Sequence, residues 1–241
     1  MELAGPLVTL LTMISSVCRR VGQPPPVAVI AATEETVLRL LEIAEDEGRE
    51  LARFGDWKVL RRTHTFLTTA TESQTNTHTP ADVGAYLDGT FWNRTRKMPL
   101  HGPVSAEEWH SIKAQSSAPV LDTFYLEGTT WLQQPVPPAG STIAYGYRSS
   151  YWCKSSGGTL QETWAADTDL GVLSERLMEL GIIWRYRQSR GMDWVTDYDR
   201  YMFQVQQALA ADSPHDLISM SGDRVSRGTP GLVVPEMSWD L

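Results

Sequence analysis

Carboxylates, imidazoles and thiols are the side chains that could act on a substrate or hold a metal, so their spacing is tested first. Glycoside hydrolysis needs two carboxyl groups ~5–9.5 Å apart across a cleft, and Asp122 with Glu127 or Glu162 are the candidates in the middle of the chain. Asp167, Asp169 and Glu175 form a second acidic group. They precede an apolar-periodic stretch, where acidic residues are favoured by the helix dipole, and that reading takes them out of acid–base chemistry. His64, His78, His101, His110 and His215 are scattered, and no two stand at metal-ligand spacing. Cys18 and Cys153 form neither a disulfide framework nor a zinc pattern, so both read as small buried hydrophobes. No dinucleotide or phosphate-binding glycine loop, nucleophile elbow or HExxH pattern occurs. Asn93-Arg94-Thr95 is formally a glycosylation sequon, but nothing else implies secretion. Aromatic pairs such as Trp131 with Tyr145, or Tyr151 with Trp152, could stack sugars or bases. With no basic frame expected around them, they read as sheet core or interface. The expectation is a chain with no catalytic constellation, no metal and no cofactor.

Charge and composition narrow the class further. A formal net charge of −8 opposes a nucleic-acid grip built on a basic surface, though not a protein that encloses DNA without holding it. Residues 7–17 are apolar but lack a leading basic segment, and Cys18-Arg19-Arg20 follows in place of a small-residue cleavage site. The run is also short of the ~20 residues of a membrane span. An intracellular soluble product without a membrane partner is expected. Nine tryptophans and eight tyrosines are many for 241 residues, which points to a large aromatic core or to extensive contact surface.

The elements that must position these residues follow from hydrophobic period. Leu7, Leu10, Leu11, Ile14, Val17 and Val21 predict a helix over 5–21, stopped by Gly22 and the triple proline 24–26. Residues 33–57 predict the organising helix: Thr33 as cap, then Val37, Leu40, Leu41, Ala44, Gly48 and Leu51 on one stripe, ending at Gly55 and the anchor Trp57. Residues 59–69 are β-branched and read as strand, and 71–79 as a polar loop tip. Ser105 with Glu108 predicts a capped short helix. Residues 123–132 and 141–151 predict two strands paired across the turn at 135–140. In the second, Tyr145, Tyr147, Ser149 and Tyr151 alternate with Ala144, Gly146, Arg148 and Ser150, as a two-faced sheet requires. Leu173, Leu177, Leu180 and Trp184 predict a third long helix, capped at Thr168 or Asp169. Trp194, Tyr198, Tyr201, Val205 and Ala208 predict a fourth, closed by Pro214.

The expected fold class is α+β: an antiparallel helical bundle from the N- and C-terminal helices, with an inserted β-rich region and an extended C-terminal tail. The boundaries are 1–56 and 166–212 for the two helical hairpins, 57–165 for the insertion and 213–241 for the tail. Leu41, Leu51, Trp57, Trp184 and Tyr198 are the expected core anchors. Ile218, Met220, Val233, Val234, Met237 and Trp239 make the tail apolar despite its glycines and prolines, which marks it as a docking segment.

The order of landmarks resembles the head-to-tail adaptor (connector) proteins of tailed bacteriophages. The residues that carry this are Glu50-Leu51-Ala52-Arg53-Phe54-Gly55-Asp56-Trp57, Leu60, Thr63-His64-Thr65-Phe66 and Pro80-Ala81-Asp82. Phe91-Trp92-Asn93, Pro99-Leu100, Glu108-Trp109, the turn at 135–140 and Tyr147-Arg148-Ser149 continue it. It closes with Asp169 leading into 173–184, then Gly191, Asp193 and Tyr198, so it spans most of 33–210. The long polar loop at 71–79, and Val83 where an aromatic is common, depart from the pattern. The resemblance implies a virion structural protein of the neck, made in the host cytoplasm. It implies a dodecameric ring of self contacts, with the portal protein on one side and a tail nozzle or stopper protein on the other. DNA would pass through the lumen without specific binding. A carbohydrate- or cell-wall-active tail enzyme or binding module is the alternative, resting on the aromatic middle and the Asp122/Glu127/Glu162 set.

Overall fold

In a computed structural model, the described residues are 8–74, 78–115, 119, 121–128 and 130–212. The six expected docking residues, from Ile218 to Trp239, lie outside them, as do Pro214 and His215.

Five helices run in the order α1 (Leu10–Arg20), α2 (Glu35–Phe54), α3 (Ala106–Ala114), α4 (Glu175–Ser189) and α5 (Val195–Asp212). Thr9 caps α1, its hydroxyl accepting the Thr12 N–H at 3.3 Å. The α2 stripe is as its period predicts, with Val37, Leu40, Ala44, Gly48 and Leu51 buried. Its cap is Glu34 rather than Thr33, with no side-chain bond. After α2 the indole of Trp57 donates to the Leu51 carbonyl at 2.7 Å, which folds the chain back onto the helix it has just left.

The helical core is organised around α4, not α2. Nine consecutive or near-consecutive residues of α4 are buried, from Leu177 through Tyr186, so this helix is covered on all sides. Helices α1, α2 and α5 each pack against it, while α1 and α2 make little direct contact. Two buried carboxylates tie the packing: Glu47 of α2 to Arg185 of α4 at 2.7 Å, and Glu179 of α4 to Arg20 of α1 at 2.9 Å.

The middle of the chain builds two sheets. In the larger, β8 (Thr142–Ser149) is central. Along one edge it pairs over its length with β1 (Arg61–Leu67), Arg61 opposite Arg148 and Leu67 opposite Thr142. The other edge is shared by β3 (Val83–Tyr86) and β4 (Trp92–Asn93), with β5 (Met98–Pro99) beyond β4. The second sheet is β2 (Ser73–Gln74), β7 (Thr130–Gln134) and β6 (Thr123–Glu127) in that order. Phe66, Phe91, Phe124, Trp131, Ile143, Tyr145 and Tyr147 from both sheets form one core. Phe124 and Trp131 stack face to face at 4.0 Å. Aromatic contacts of this kind contribute ~0.5–1.5 kcal/mol each beyond area burial. Asp82, in the loop before β3, accepts from the Tyr147 hydroxyl at 2.9 Å and the Ser149 hydroxyl at 2.7 Å, clamping that edge.

A third sheet, β10 (Leu160–Gln161), β9 (Cys153–Lys154) and β11 (Leu170–Gly171), belongs to the helical core. Trp152, Cys153 and Trp164 are buried there among the helices. Trp152 lies on Gly48, where a Cβ would meet its ring at 2.4 Å.

The expected fold class is therefore corrected. The chain is α+β, with five helices and three antiparallel sheets among the described residues, and it is not a helical bundle carrying an inserted β region. The reason is that the middle supplies enough large aromatics to bury a core of its own, while its last part, 152–171, joins the helices. The expected strand pair is corrected as well. Residues 123–134 fold on themselves as β6 and β7, turning at Gly128 with φ +61°, and β8 pairs with β1 instead. Glycine takes that φ at no steric cost.

Candidate functional surface

The side chains with catalytic potential are either held in structural contacts or set far apart. Asp122 is buried, bonded by Arg96 at 2.6 Å, with the Asn93 amide at 3.5 Å. Glu127 is exposed at the far end of β6, five strand residues on, which separates the two backbones by roughly 16 Å. Glu162 follows β10, in a different sheet. Asp167 and Asp169 are not at a helix start, since α4 begins after Ser174. Instead Asp167 accepts the N–H groups of Val29 and Ile30 at 3.0 and 2.8 Å, and Asp169 those of Ala165 and Ala166 at 2.8 and 2.9 Å. They are loop braces. His101 faces Glu108 at 3.4 Å, and His64 stacks on Phe66 at 6.4 Å. Among the described residues no group of three or more His, Cys, Asp or Glu could hold a metal, and no helix is long and apolar enough to cross a membrane.

The aromatics that suggested sugar stacking are interior: Trp131, Tyr145 and Trp152 are all buried. What remains open is the other face of the large sheet. The period-2 alternation of β8 sends Tyr145 and Tyr147 inward, leaving Ala144 and Gly146 as the floor of a groove of about 540 Å³. Thr63 of β1 lies on one side, Leu87, Thr90 and Trp92 on the other. The Thr90 hydroxyl accepts the Gly146 N–H at 2.9 Å, and a Cβ on Gly146 would press on Leu87 and Thr90 at 3.3 Å.

This groove is basic in an acidic protein. Arg61 and Arg94 line it and no acidic residue does. Arg61 is paired with Asp56 at 2.9 Å, just outside. Arg62, opposite the inward Tyr147 in register, belongs to the inner side of the sheet, where its guanidinium donates to the carbonyls of Val59 and Arg61 at 2.9 and 2.8 Å. Arg94 is exposed, and its guanidinium has no acceptor among the described residues. A basic frame thus exists, but around Trp92 on the outer face rather than around Trp131 and Tyr145. The signal was present in the alternation Arg61, Thr63, Thr65, which marks a polar face opposite Phe66.

A second open surface lies on α5, where only Tyr201 and Val205 are fully buried along eighteen residues. Val195 and Phe203 are 54% and 57% exposed. They fall about 80° apart around the helix at 100° per residue, hence on one side. Of the expected core anchors, Leu51, Trp57 and Trp184 are buried and Leu41 is partly buried. Tyr198 is 37% exposed, its ring edge-on to Trp184 at 5.1 Å.

Inside the helical core, the Glu47 carboxyl is raised above the usual carboxylate range by burial, opposed by the bond and charge of Arg185 and by the Tyr201 hydroxyl. Burial alone would lower Arg185, but Glu47 and Glu50 reverse this and raise it. Tyr201 is raised, first by burial and then by the charge of Glu47. The arrangement suits a structural hub, with a charged arginine bridging two carboxylates. No protein-family model matches the chain, and no curated protein is similar to it.

Proposed function

We propose that this chain is the subunit of a head-to-tail adaptor ring of a tailed phage. It joins the capsid portal to a tail nozzle or stopper and encloses the DNA channel at the neck of the virion. The observation that carries the reading, beside the resemblance in residues 33–210, is the outward face of α5. A helix held by two buried residues that also exposes Val195 and Phe203 is suited to being covered by another protein. A ring needs a heterologous contact that closes on itself. Helix α5 supplies one side of it. The apolar residues of 213–241 would grip the portal, and a net charge of −8 keeps duplex DNA from adhering as it passes.

The test is assembly on a purified portal, followed by native mass spectrometry and electron microscopy. The chain alone is expected as a monomer or weak oligomer, and with portal as a closed ring. Phe203→Glu should abolish ring closure while the helical circular dichroism is kept. Deletion of 221–241 should abolish portal attachment in the same way. Rings formed equally well by both variants would refute the reading.

A further inference from the structure

We propose that the open edge of strand β1 is completed by this chain's own residues 232–236, which add to the large sheet as an antiparallel strand. The contact does not depend on whether the chain forms a ring.

The edge follows from register. Thr68 donates its N–H to the Ser141 carbonyl, so the even-numbered residues of β1 are those that bond β8. The N–H and C=O groups of Thr63, Thr65 and Leu67 point the opposite way, and all three residues are exposed. β1 pairs with no other strand, and none of these backbone groups has a partner among the described residues. The run is closed at both ends. The Arg61 N–H donates to the Lys58 carbonyl, and the Arg61 carbonyl accepts from the Arg62 guanidinium at 2.8 Å. Beyond Leu67, the Gln74 side chain accepts the Thr69 N–H at 2.8 Å.

The other edges of the two middle sheets are protected. β5 and β2 are two residues long, and β5 holds Pro99. A register shift breaks β3, and the outer side of β6 is bridged through Thr123 to His101. A regular seven-residue edge with no proline, lysine or bulge, as β1 has, is a template for another strand.

Position names the occupant. Helix α5 ends at Asp212, whose carboxylate accepts the Lys58 N–H at 2.6 Å, so the chain beyond sets out from the Arg61 end of β1. From 212 to 232 it spans up to ~65 Å, against ~23 Å for β1, which lets it pass the strand and return along it. Pro230-Gly231 supplies the turn, and Val233-Val234 is the one adjacent β-branched pair of 213–241.

Sequence sets the register. With Val234 opposite Thr65, Leu232 falls opposite Leu67 and Glu236 opposite Thr63, and these three supply the ladder. Val233 and Pro235 turn their backbone to solvent, where the missing proline N–H breaks no bond and blunts the new edge. A shift of one residue would put Pro235 in the ladder, where it cannot donate. Leu232 comes to lie on a hollow of about 300 Å³ lined by Thr65, Phe66, Leu67 and Thr142. It covers Leu67, now 64% exposed.

Amide hydrogen exchange of the full chain, read residue by residue, tests this. The amides of Thr63, Thr65 and Leu67 should exchange at least about tenfold slower than in the chain lacking 221–241, with the α4 amides equally protected in both. Val234→Pro removes an N–H aimed at β1 and should release them. Val233→Pro removes one aimed at solvent and should not. Under mild oxidation, Thr65→Cys with Val234→Cys should close a disulfide within the monomer about tenfold faster than Thr65→Cys with Val233→Cys, whose side chain lies on the other face. Cys18 and Cys153 are buried, so the introduced pair is read alone. Equal exchange in the full and truncated chains would overturn the proposal. So would two proline variants that behave alike, or equal disulfide rates, which mean tethering without a ladder. Protection that grows with protein concentration, or a disulfide between chains, would assign the edge to a second copy and overturn it equally.

Discussion

Glu47 is fully buried on the face that α2 turns to α4, bonded to Arg185 at 2.7 Å and approached by Tyr201. Its carboxyl is raised by burial, so the folded protein keeps that proton to higher pH than the unfolded chain does. Between the ordinary carboxyl value and the raised one, the folded state binds more protons. Stability therefore falls as pH rises through that window, and the contribution is fully present only below the unfolded value. Glu175, also raised by burial and by Glu179, adds the same sign. Glu47→Gln keeps an oxygen for Arg185 and removes the titration. Its melting temperature should fall less than that of the parent as pH rises above the ordinary carboxyl value of 4.5. An unchanged pH profile would place the titration elsewhere. Glu47 could have been found in the sequence: it stands three residues after Ala44 and four before Leu51, on the apolar stripe itself. A lone acid on such a stripe calls for a cation from a facing element, and only the fold says which.

Between elements, the contact of α2 with α4 runs through Gly181, where a Cβ would fall 2.0 Å from the Glu47 carboxyl. Helix propensity alone favours Gly→Ala by about 0.8–1 kcal/mol. Gly181→Ala is nevertheless expected to destabilise by about 1–3 kcal/mol in urea unfolding, because the added carbon displaces a buried ion pair. A neutral or stabilising result would show that the two helices part easily. Elements of this kind were unevenly legible. Helix α2 is amphipathic, so its period gives its buried residues, and the alternation in β8 separates Tyr145 and Tyr147 from Ala144 and Gly146. In α4 the apolar residues are interspersed with Glu175, Arg176, Glu179, Arg185 and Arg187, so the stripe Leu173, Leu177, Leu180 and Trp184 gives the helix but not its burial on every side, from which its central place follows. The partner of β8 was hidden for another reason. Strand pairing is set by register and turn chemistry, and Gly128 closes β6 on β7 so that β8 is left for β1, about eighty residues earlier in the chain. The basic groove was legible only as an outward-facing alternation in β1; its second arginine comes from the segment after β4, which no local pattern connects to it.

For the molecule as a whole, the helical body takes α1 and α2 from residues 10–54 and its hub from 175–189. The sheets built from 61–149 lie wholly between them in sequence. During synthesis at ~5–20 residues per second, α1 and α2 emerge many seconds before the helix that must cover them. The β body has its whole chain available first. A stalled nascent chain ending at residue ~190, with β8 emerged and α4 still in the exit tunnel, should therefore show protease protection over 61–149, with cleavage still occurring within α1 and α2. Protection of all three regions at that length would contradict a hub at α4. The placing of that one helix so late gives the cell a long interval in which two greasy helices stand uncovered on the ribosome, a natural opening for a chaperone. It also means that a chain cut short anywhere before α4 leaves α1 and α2 without the helix that buries them.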